Sequence, residues 1–264
     1  MSRSSSESAH IVVVIPARFA STRLPQKMLL RDTGKPLLQY AYEAACAARR
    51  PEAVVIATDH LEIANAAKRF GARVVMTSAD CASGTDRVAA AARQLACAEI
   101  IVNVQGDEPE ISPSSIDTVI DLLERNPAAG MATLATPIQH PDQLANPACV
   151  KVIWDGAGRA LYFSRSQIPF IRDAPTPYGD PVKPFNLPPQ FFQHLGLYAY
   201  RRAELLRFAA LPPSSLEQAE KLEQLRLLQS GGTIMVDVVA HASSGIDTPA
   251  DYASFVARQQ RKAG

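Results

Sequence analysis

Apolar residues fall along this chain in short runs separated by amphipathic stretches. Ile11-Val-Val-Val-Ile15 is an apolar, β-branched run, which predicts a strand buried on both faces, as in a parallel sheet. Pro16 has no ladder N–H and is expected to end it. Ala53–Thr58, Arg73–Met76 and residues 99–104 predict three more strands. Helical patterns lie between them: one from Pro36, one over 61–70 that closes on Gly71, and one from Ser83-Gly-Thr-Asp86 to about Cys97. This alternation predicts βαβ units and a mostly parallel sheet. Ser112-Pro113 then opens a helix to Arg125, and 130–135 reads as another strand.

The pattern changes in the second half. Residues 150–154 and 160–163 flank Asp155-Gly156 as an antiparallel hairpin, after a connection over 136–147. Residues 191–200 alternate at period two, with His194, Gly196, Tyr198 and Tyr200 on one face. Ser214-Ser-Leu-Glu217 has capping-box spacing and predicts a helix carrying Glu220, Glu223 and Gln224 at i, i+3 and i+4. A strand over 233–239 and a closing helix that begins near Pro249 complete the chain. The run 173–190 holds six prolines and is expected to be a surface excursion without regular structure.

Composition narrows the function classes. The 264 residues carry 27 basic and 26 acidic side chains, a net charge of +1, so no global basic field points to nucleic acid. Cys46, Cys81, Cys97 and Cys149 are scattered, with no CxxC, which suits reduced thiols and a cytoplasmic setting. No apolar run approaches the ~20 residues of a membrane span, and residues 1–9 form a Ser-rich tail with no apolar signal region. Neither GxGxxG after the first strand nor GxxxxGK[ST] occurs.

Candidate chemistry begins in the loop after the first strand, which carries Arg18, Arg23 and Lys27. In an open α/β sheet this is a ligand-binding position, and its three cations suit a triphosphate; the alternative is a solvated basic loop. Asp107-Glu108 follows the 99–104 strand beside Gly106, which suits Mg²⁺ bound with substrate phosphates; the alternative is a turn in which Asp107 bonds its own backbone. Arg165, His194, Tyr198, Glu220, Glu223 and Gln224 are polar residues within apolar surroundings. Singly, each has an ordinary explanation as a sheet histidine, a solvated helix face or a surface ion pair. Together they could hold a polyhydroxylated acid, with Arg for the carboxylate and the others for hydroxyls. Asp247-Thr-Pro-Ala-Asp251 reads locally as a helix start.

Several of these segments carry a family resemblance. Ile15-Pro-Ala-Arg18, Ser21-Thr-Arg-Leu-Pro25 and Lys27 resemble the signature loop of the sugar-activating cytidylyltransferases, in particular the 3-deoxy-manno-octulosonate (Kdo) cytidylyltransferase family. Gln26 stands where that family usually has Gly, which would ease a tight turn. Val102-Asn-Val-Gln-Gly-Asp-Glu-Pro109 resembles its metal motif. Leu161-Tyr-Phe-Ser-Arg165, His194-Leu-Gly-Leu-Tyr198 and Leu222-Glu-Gln-Leu-Arg226 resemble its sugar-site segments. The motifs occur in family order from Ile11 to the final helix, excluding the proline-rich run.

The resemblance implies a three-layer αβα fold of the nucleotide-diphospho-sugar transferase kind, with a mostly parallel sheet and an inserted antiparallel dimerisation and sugar-binding element. Residues 10–264 would form one nucleotidyltransferase domain, its nucleotide part about 10–136, its sugar and dimer part about 137–240, and its closing strand and helix about 233–262. The implied reaction is transfer of CMP from CTP to Kdo with release of pyrophosphate, for lipopolysaccharide biosynthesis, by a homodimer. Arg18, Lys27, Asp107 and Asp247 would be catalytic, and the two aspartates would hold Mg²⁺. Pro16, Ala17, Ser21, Ser83, Gly84, Thr85 and Gln105 would join Arg18, Lys27 and Asp107 in binding the nucleotide. Arg165, His194, Tyr198, Glu223 and Gln224 would bind the sugar. A cytidylyltransferase for another sugar acid, such as sialic acid, or for a polyol phosphate is one alternative, and a non-catalytic nucleotide-binding regulator is the other.

Overall fold

A computed structural model describes residues 10–172 and 191–263, so the N-terminal tail and the proline-rich run expected to be irregular lie outside the described residues. The chain begins with β1 (Ile11–Ala17), a 3-10 turn at Lys27–Leu29, α1 (Leu37–Ala47), β2 (Ala53–Thr58), α2 (Leu61–Arg69) and β3 (Arg73–Met76). Next come α3 (Gly84–Gln94), β4 (Ile100–Asn103), α4 (Pro113–Arg125), β5 (Met131–Pro137) and α5 (Pro141–Ala145). The hairpin β6 (Lys151–Trp154) and β7 (Ala160–Ser164) precedes β8 (Phe192–Arg201) and α6 (Arg202–Ala210). The chain ends with α7 (Ser215–Glu220), α8 (Gln224–Gln229), β9 (Ile234–Val238) and α9 (Pro249–Ala263).

Contacts divide the chain into two compact units. The first comprises the described residues to Ile120, Leu197–Ala209 and those from Ser243. Its strands run β3-β2-β1-β4 in parallel, and the C-terminal half of β8 pairs antiparallel with β4, Asn103 opposite Tyr198. Every residue of β1, β2 and β4 is buried, as the unbroken apolar runs require. The second unit, Asp121–Gly196 and Ala210–Ala242, holds the order β8-β5-β9, with β5 and β9 parallel, and the antiparallel hairpin β6–β7. The expected mixed α/β architecture with a mostly parallel sheet is therefore present. Among the described residues, no helix is long and apolar enough to cross a membrane.

Several expectations need correction. β1 does not end at Pro16: Pro16 and Ala17 stay in register with Ala57 and Thr58 of β2. Close to a strand end, the missing N–H forfeits at most one ladder bond. The connection over 136–147 contains α5, whose N-cap is His140 with a capping box to Gln143. The helix that starts at Ser214 does have its capping box, but it stops at Glu220 because Lys221 takes the left-handed conformation (φ 54°), and a separate helix starts at Gln224. Glu220 and Glu223 therefore do not share one helical face.

The second unit also buries a full positive charge. Lys151 of β6 has no exposed surface, and its Nζ donates to the carbonyls of Asn146 (3.0 Å), Cys149 (2.7 Å) and Arg165 (2.9 Å). Burial pulls its pKa below the ordinary lysine value. An ammonium has three donors, and all are used here. Lys151→Met keeps the length of the side chain but strands the buried carbonyl of Cys149 and the part-buried carbonyls of Asn146 and Arg165, each at up to about 1–3 kcal/mol. The expected outcome is a loss of about 3 kcal/mol or more in chemical denaturation, against little change for a surface lysine such as Lys68.

Candidate active site

In the first unit the strand order reverses at β1, which lies between β2 and β4. In such sheets ligands bind outside the carboxyl ends of the strands at the reversal. The loop after β1 and the loop after β4 both leave from that edge. Gly106 shows how closely they approach: a Cβ there would sit 3.1 Å from the carbonyl oxygen of Pro16 and 3.2 Å from Met28 Sδ. A Cβ on Gly84 would lie 3.8 Å from Pro16 Cγ and 3.9 Å from Gln105 Oε1, so the start of α3 meets the same place. The structure thus brings together Pro16, Gly84, Gln105 and Asp107 of the expected nucleotide set. Ala17 is buried at the end of β1, Ser21 is half-buried, and Thr85 is buried in α3.

The first loop is anchored at both ends. The Phe19 N–H donates to Asp59 Oδ1 at 3.3 Å, the Phe19 ring stacks on His60 at 3.7 Å, and Arg87 holds Asp59 at 2.8 Å. Gln26 takes the left-handed conformation (φ 51°), where glycine is unstrained and other residues pay roughly 1–2 kcal/mol. That turn directs Lys27 inward. Its nearly buried ammonium lies 2.6 Å from Asp107 Oδ2 and 3.1 Å from Asp247 Oδ1. Arg23 pairs with the same Asp247 oxygen at 3.0 Å. Arg18 is exposed and has no hydrogen-bond or ion-pair partner among the described residues.

The two acidic segments are tied by main-chain and side-chain contacts. Ile246 N–H donates to the Asp107 carbonyl at 2.9 Å, and Ser243 Oγ donates to Glu108 Oε2 at 2.5 Å. Burial pushes the Glu108 carboxyl up to about 7, with Asp107 adding to the rise and Ser243 opposing it. Asp251 Oδ2 accepts from Asp247 N (3.1 Å), Thr248 N (2.8 Å) and Thr248 Oγ1 (2.8 Å). Thr248 and Asp251 thus cap the helix start reciprocally, and the Asp247 carboxylate is left to the cations. Asp59, Arg87 and Ser243 escaped assignment from sequence as loop anchors, with Asp59 directly after a buried strand the available signal, whereas Asp251 takes the helix-start role read for it.

The donor set fits a hard divalent ion. Two carboxylate oxygens converge on one nitrogen, within 2.6 and 3.1 Å, and Mg²⁺ takes one or two carboxylates plus water and substrate oxygens. No group of three or more His, Cys, Asp or Glu side chains able to hold a metal occurs among the described residues, so an all-protein cage has no donors there.

In the second unit the expected sugar residues show contrasting commitments. Arg165 N–H donates to Glu220 Oε2 (2.9 Å), and its guanidinium donates to the carbonyls of Glu220 (2.7 Å), Pro147 (2.9 Å) and Lys221 (3.4 Å). His194 is buried, with Nε2 3.0 Å from Thr133 Oγ1. Thr133 spends its one hydroxyl proton on the Leu195 carbonyl at 3.1 Å, so Nε2–H donates and Nδ1 is the unprotonated nitrogen. Gln224 is buried, and its Nε2 has no partner among the described residues, a donor left for a ligand or water. Glu223, half-buried, precedes it as the N-cap of α8. Tyr198 belongs to the first unit, where it is half-buried.

A family model for cytidylyltransferases matches residues 12–234. A relative from Geobacter sulfurreducens named 3-deoxy-manno-octulosonate cytidylyltransferase is 50% identical over 243 residues, covering 92% of this chain and 96% of its own. The chain belongs to the 3-deoxy-manno-octulosonate cytidylyltransferase family. It is an enzyme of the nucleotidyltransferase class. A cytidylyltransferase of this kind from Shewanella loihica, named for 8-amino-3,8-dideoxy-manno-octulosonate, is 44% identical over 92% of this chain and 95% of its own. A solved structure of CMP:2-keto-3-deoxy-manno-octonic acid synthetase complexed with CTP matches with TM-score 0.87 and 39% identity, covering 96% of this chain and 99% of that one. The left-handed Gln26 marks a position that glycine would take without strain.

Burial lowers the His194 pKa from 6.5 to about 3. The imidazole is expected to stay neutral and not to titrate between pH 5 and 8 in NMR. The unfolded chain binds a proton near pH 6.5 and the folded one does not until about 3, so this residue withdraws stability as pH falls through that window and is without effect above it. An ordinary histidine titration at this position would contradict the buried geometry.

Proposed function

We propose that this chain transfers CMP from CTP to 3-deoxy-manno-octulosonate and releases pyrophosphate. The observation that carries the reading is the convergence of Lys27, Asp107 and Asp247 at the carboxyl ends of β1 and β4. The anomeric hydroxyl of the sugar acid attacks the α-phosphorus in line. The new P–O bond forms as the bond to pyrophosphate breaks, and the hydroxyl proton is released to solvent. Such a step needs positioning and charge neutralisation rather than a covalent nucleophile.

Arg18, exposed and without a partner among the described residues, offers a planar fork of donors to the phosphates. Lys27 supplies charge to the departing pyrophosphate. The first turn of α3, with Ser83, Gly84 and Thr85, offers backbone N–H and hydroxyl groups to the nucleotide, and Gln105 stands beside it. Asp107 and Asp247 would hold Mg²⁺, which when bound supplies Lewis acidity at the α-phosphate and lowers the pKa of the attacking hydroxyl. Gln224, Glu223, His194, Tyr198 and Arg165 are our assignment for the acceptor, and Gln224 Nε2, without a partner among the described residues, is the best support among them.

The same reading makes the protein a cytoplasmic homodimer that serves lipopolysaccharide biosynthesis. Free thiols at Cys46, Cys81, Cys97 and Cys149 suit a reducing compartment. Leu161 and Phe170, 58% and 76% exposed, are apolar surface suited to a second copy. The Shewanella loihica relative motivates a second acceptor, the 8-amino sugar.

The test is pyrophosphate release from CTP and Mg²⁺ with Kdo, its 8-amino analogue, sialic acid, or no acceptor. Release that depends on Kdo is expected. Release with the amino sugar alone would move the acceptor assignment, and release indifferent to any acceptor would end the reading. Asp247→Asn should cut turnover at saturating substrates by about 100-fold or more while circular dichroism stays native.

A further inference from the structure

We infer that Lys27 exchanges partners: without metal its ammonium neutralises Asp107 and Asp247, and a divalent ion that takes those carboxylates releases it to the nucleotide phosphates. This rests on the reading that the two aspartates hold the metal, and it concerns what Lys27 does before the nucleotide arrives.

The geometry carries the argument. Lys27 Nζ sits 2.6 Å from one aspartate oxygen and 3.1 Å from the other, on the oxygens a cation would use. A Mg²⁺ ion bonds carboxylate oxygens at about 2.0–2.1 Å, so it and the ammonium compete for the same lone pairs and repel each other. The Lys27 side chain is 9% exposed, against 27% for Asp107 and 47% for Asp247. A cation that shielded loses both anions only at a cost, because an unpaired buried charge is strongly destabilising, so a released ammonium takes up any replacement anion that arrives.

Among the described residues the other acids of these segments are engaged elsewhere. Glu108 is taken by Ser243, Glu110 by Arg258 and Lys262, and Asp251 by Thr248. The replacement anion must come from the ligand, and the phosphates of the nucleotide are the groups that arrive there. Arg23, 65% exposed, can leave Asp247 for water at little cost. Metal and nucleotide then reinforce each other. The ion frees the ammonium for phosphate, and phosphate keeps the ammonium away from the carboxylates; the coupling is reciprocal.

Mn²⁺ binding to the full chain without nucleotide, followed by the spin resonance of the free ion, tests the exchange. Lys27→Met is expected to bind Mn²⁺ about tenfold or more tightly than the unmodified protein, because the carboxylates have lost their resident cation. Asp107→Asn and Asp247→Asn should each weaken Mn²⁺ binding. A second measurement needs no variant: acylation of Lys27, read by mass spectrometry, should be slow in chelator, several-fold faster with Mg²⁺ alone, and slow again with Mg²⁺ and CTP. Mn²⁺ affinity that needs the aspartates but ignores Lys27, or acylation of Lys27 indifferent to Mg²⁺, overturns the exchange alone. Mn²⁺ affinity indifferent to both aspartates overturns the metal assignment and the exchange with it.

Discussion

One nearly buried ammonium joins three distant parts of this chain. Lys27 reaches Asp107, 80 residues away, and Asp247, 220 residues away. The rest of the first unit can be read as what makes those bonds possible. Two all-buried parallel strands, β1 and β4, aim their outgoing loops at one edge. A left-handed residue turns Lys27 inward, a glycine lets the β4 loop press against the β1 carbonyl, and a main-chain bond from Ile246 draws in the segment that carries Asp247. None of these makes the ion pairs strong by itself. Together they remove the freedom that makes an exposed pair worth so little.

How much of this was legible depends on range. Strands β1, β2 and β4 were legible because burial on both faces writes an uninterrupted apolar run, which few other structures demand. The loop residues Arg18 and Lys27 and the acids Asp107 and Asp247 were legible as motifs. Their partners were not: Asp59 under Phe19 and Ser243 under Glu108 are fixed by packing between remote segments. Breaks without the usual punctuation also hid. Lys221 ends α7 in a conformation that glycine or asparagine would advertise, and His140 caps α5 where Ser or Asp would be expected.

Polar burial in the second unit comes in two kinds, and the sequence could not tell them apart. Lys151, His194 and the Arg165–Glu220 pair have their hydrogen bonds met by the protein, which fixes the hairpin and β8 to their neighbours. Gln224 keeps a buried donor unmet among the described residues. Saturated groups rigidify the scaffold, while an unsaturated one costs stability that a ligand can return. The same residue types served both ends, so composition alone was silent on which was which.

The pairing of β4 with the far half of β8 has a consequence for how the chain reaches this state. Ile100–Asn103 gains its second neighbour only when Tyr198–Arg201 is in place, about a hundred residues later. Until then Ile-Ile-Val presents a bare, apolar strand edge, the kind that recruits other chains. Such long-range closure also slows folding, which lengthens the exposure. The yield of soluble protein at high synthesis rates should therefore depend on how quickly this edge is covered, a vulnerability of the folding chain that the finished molecule conceals.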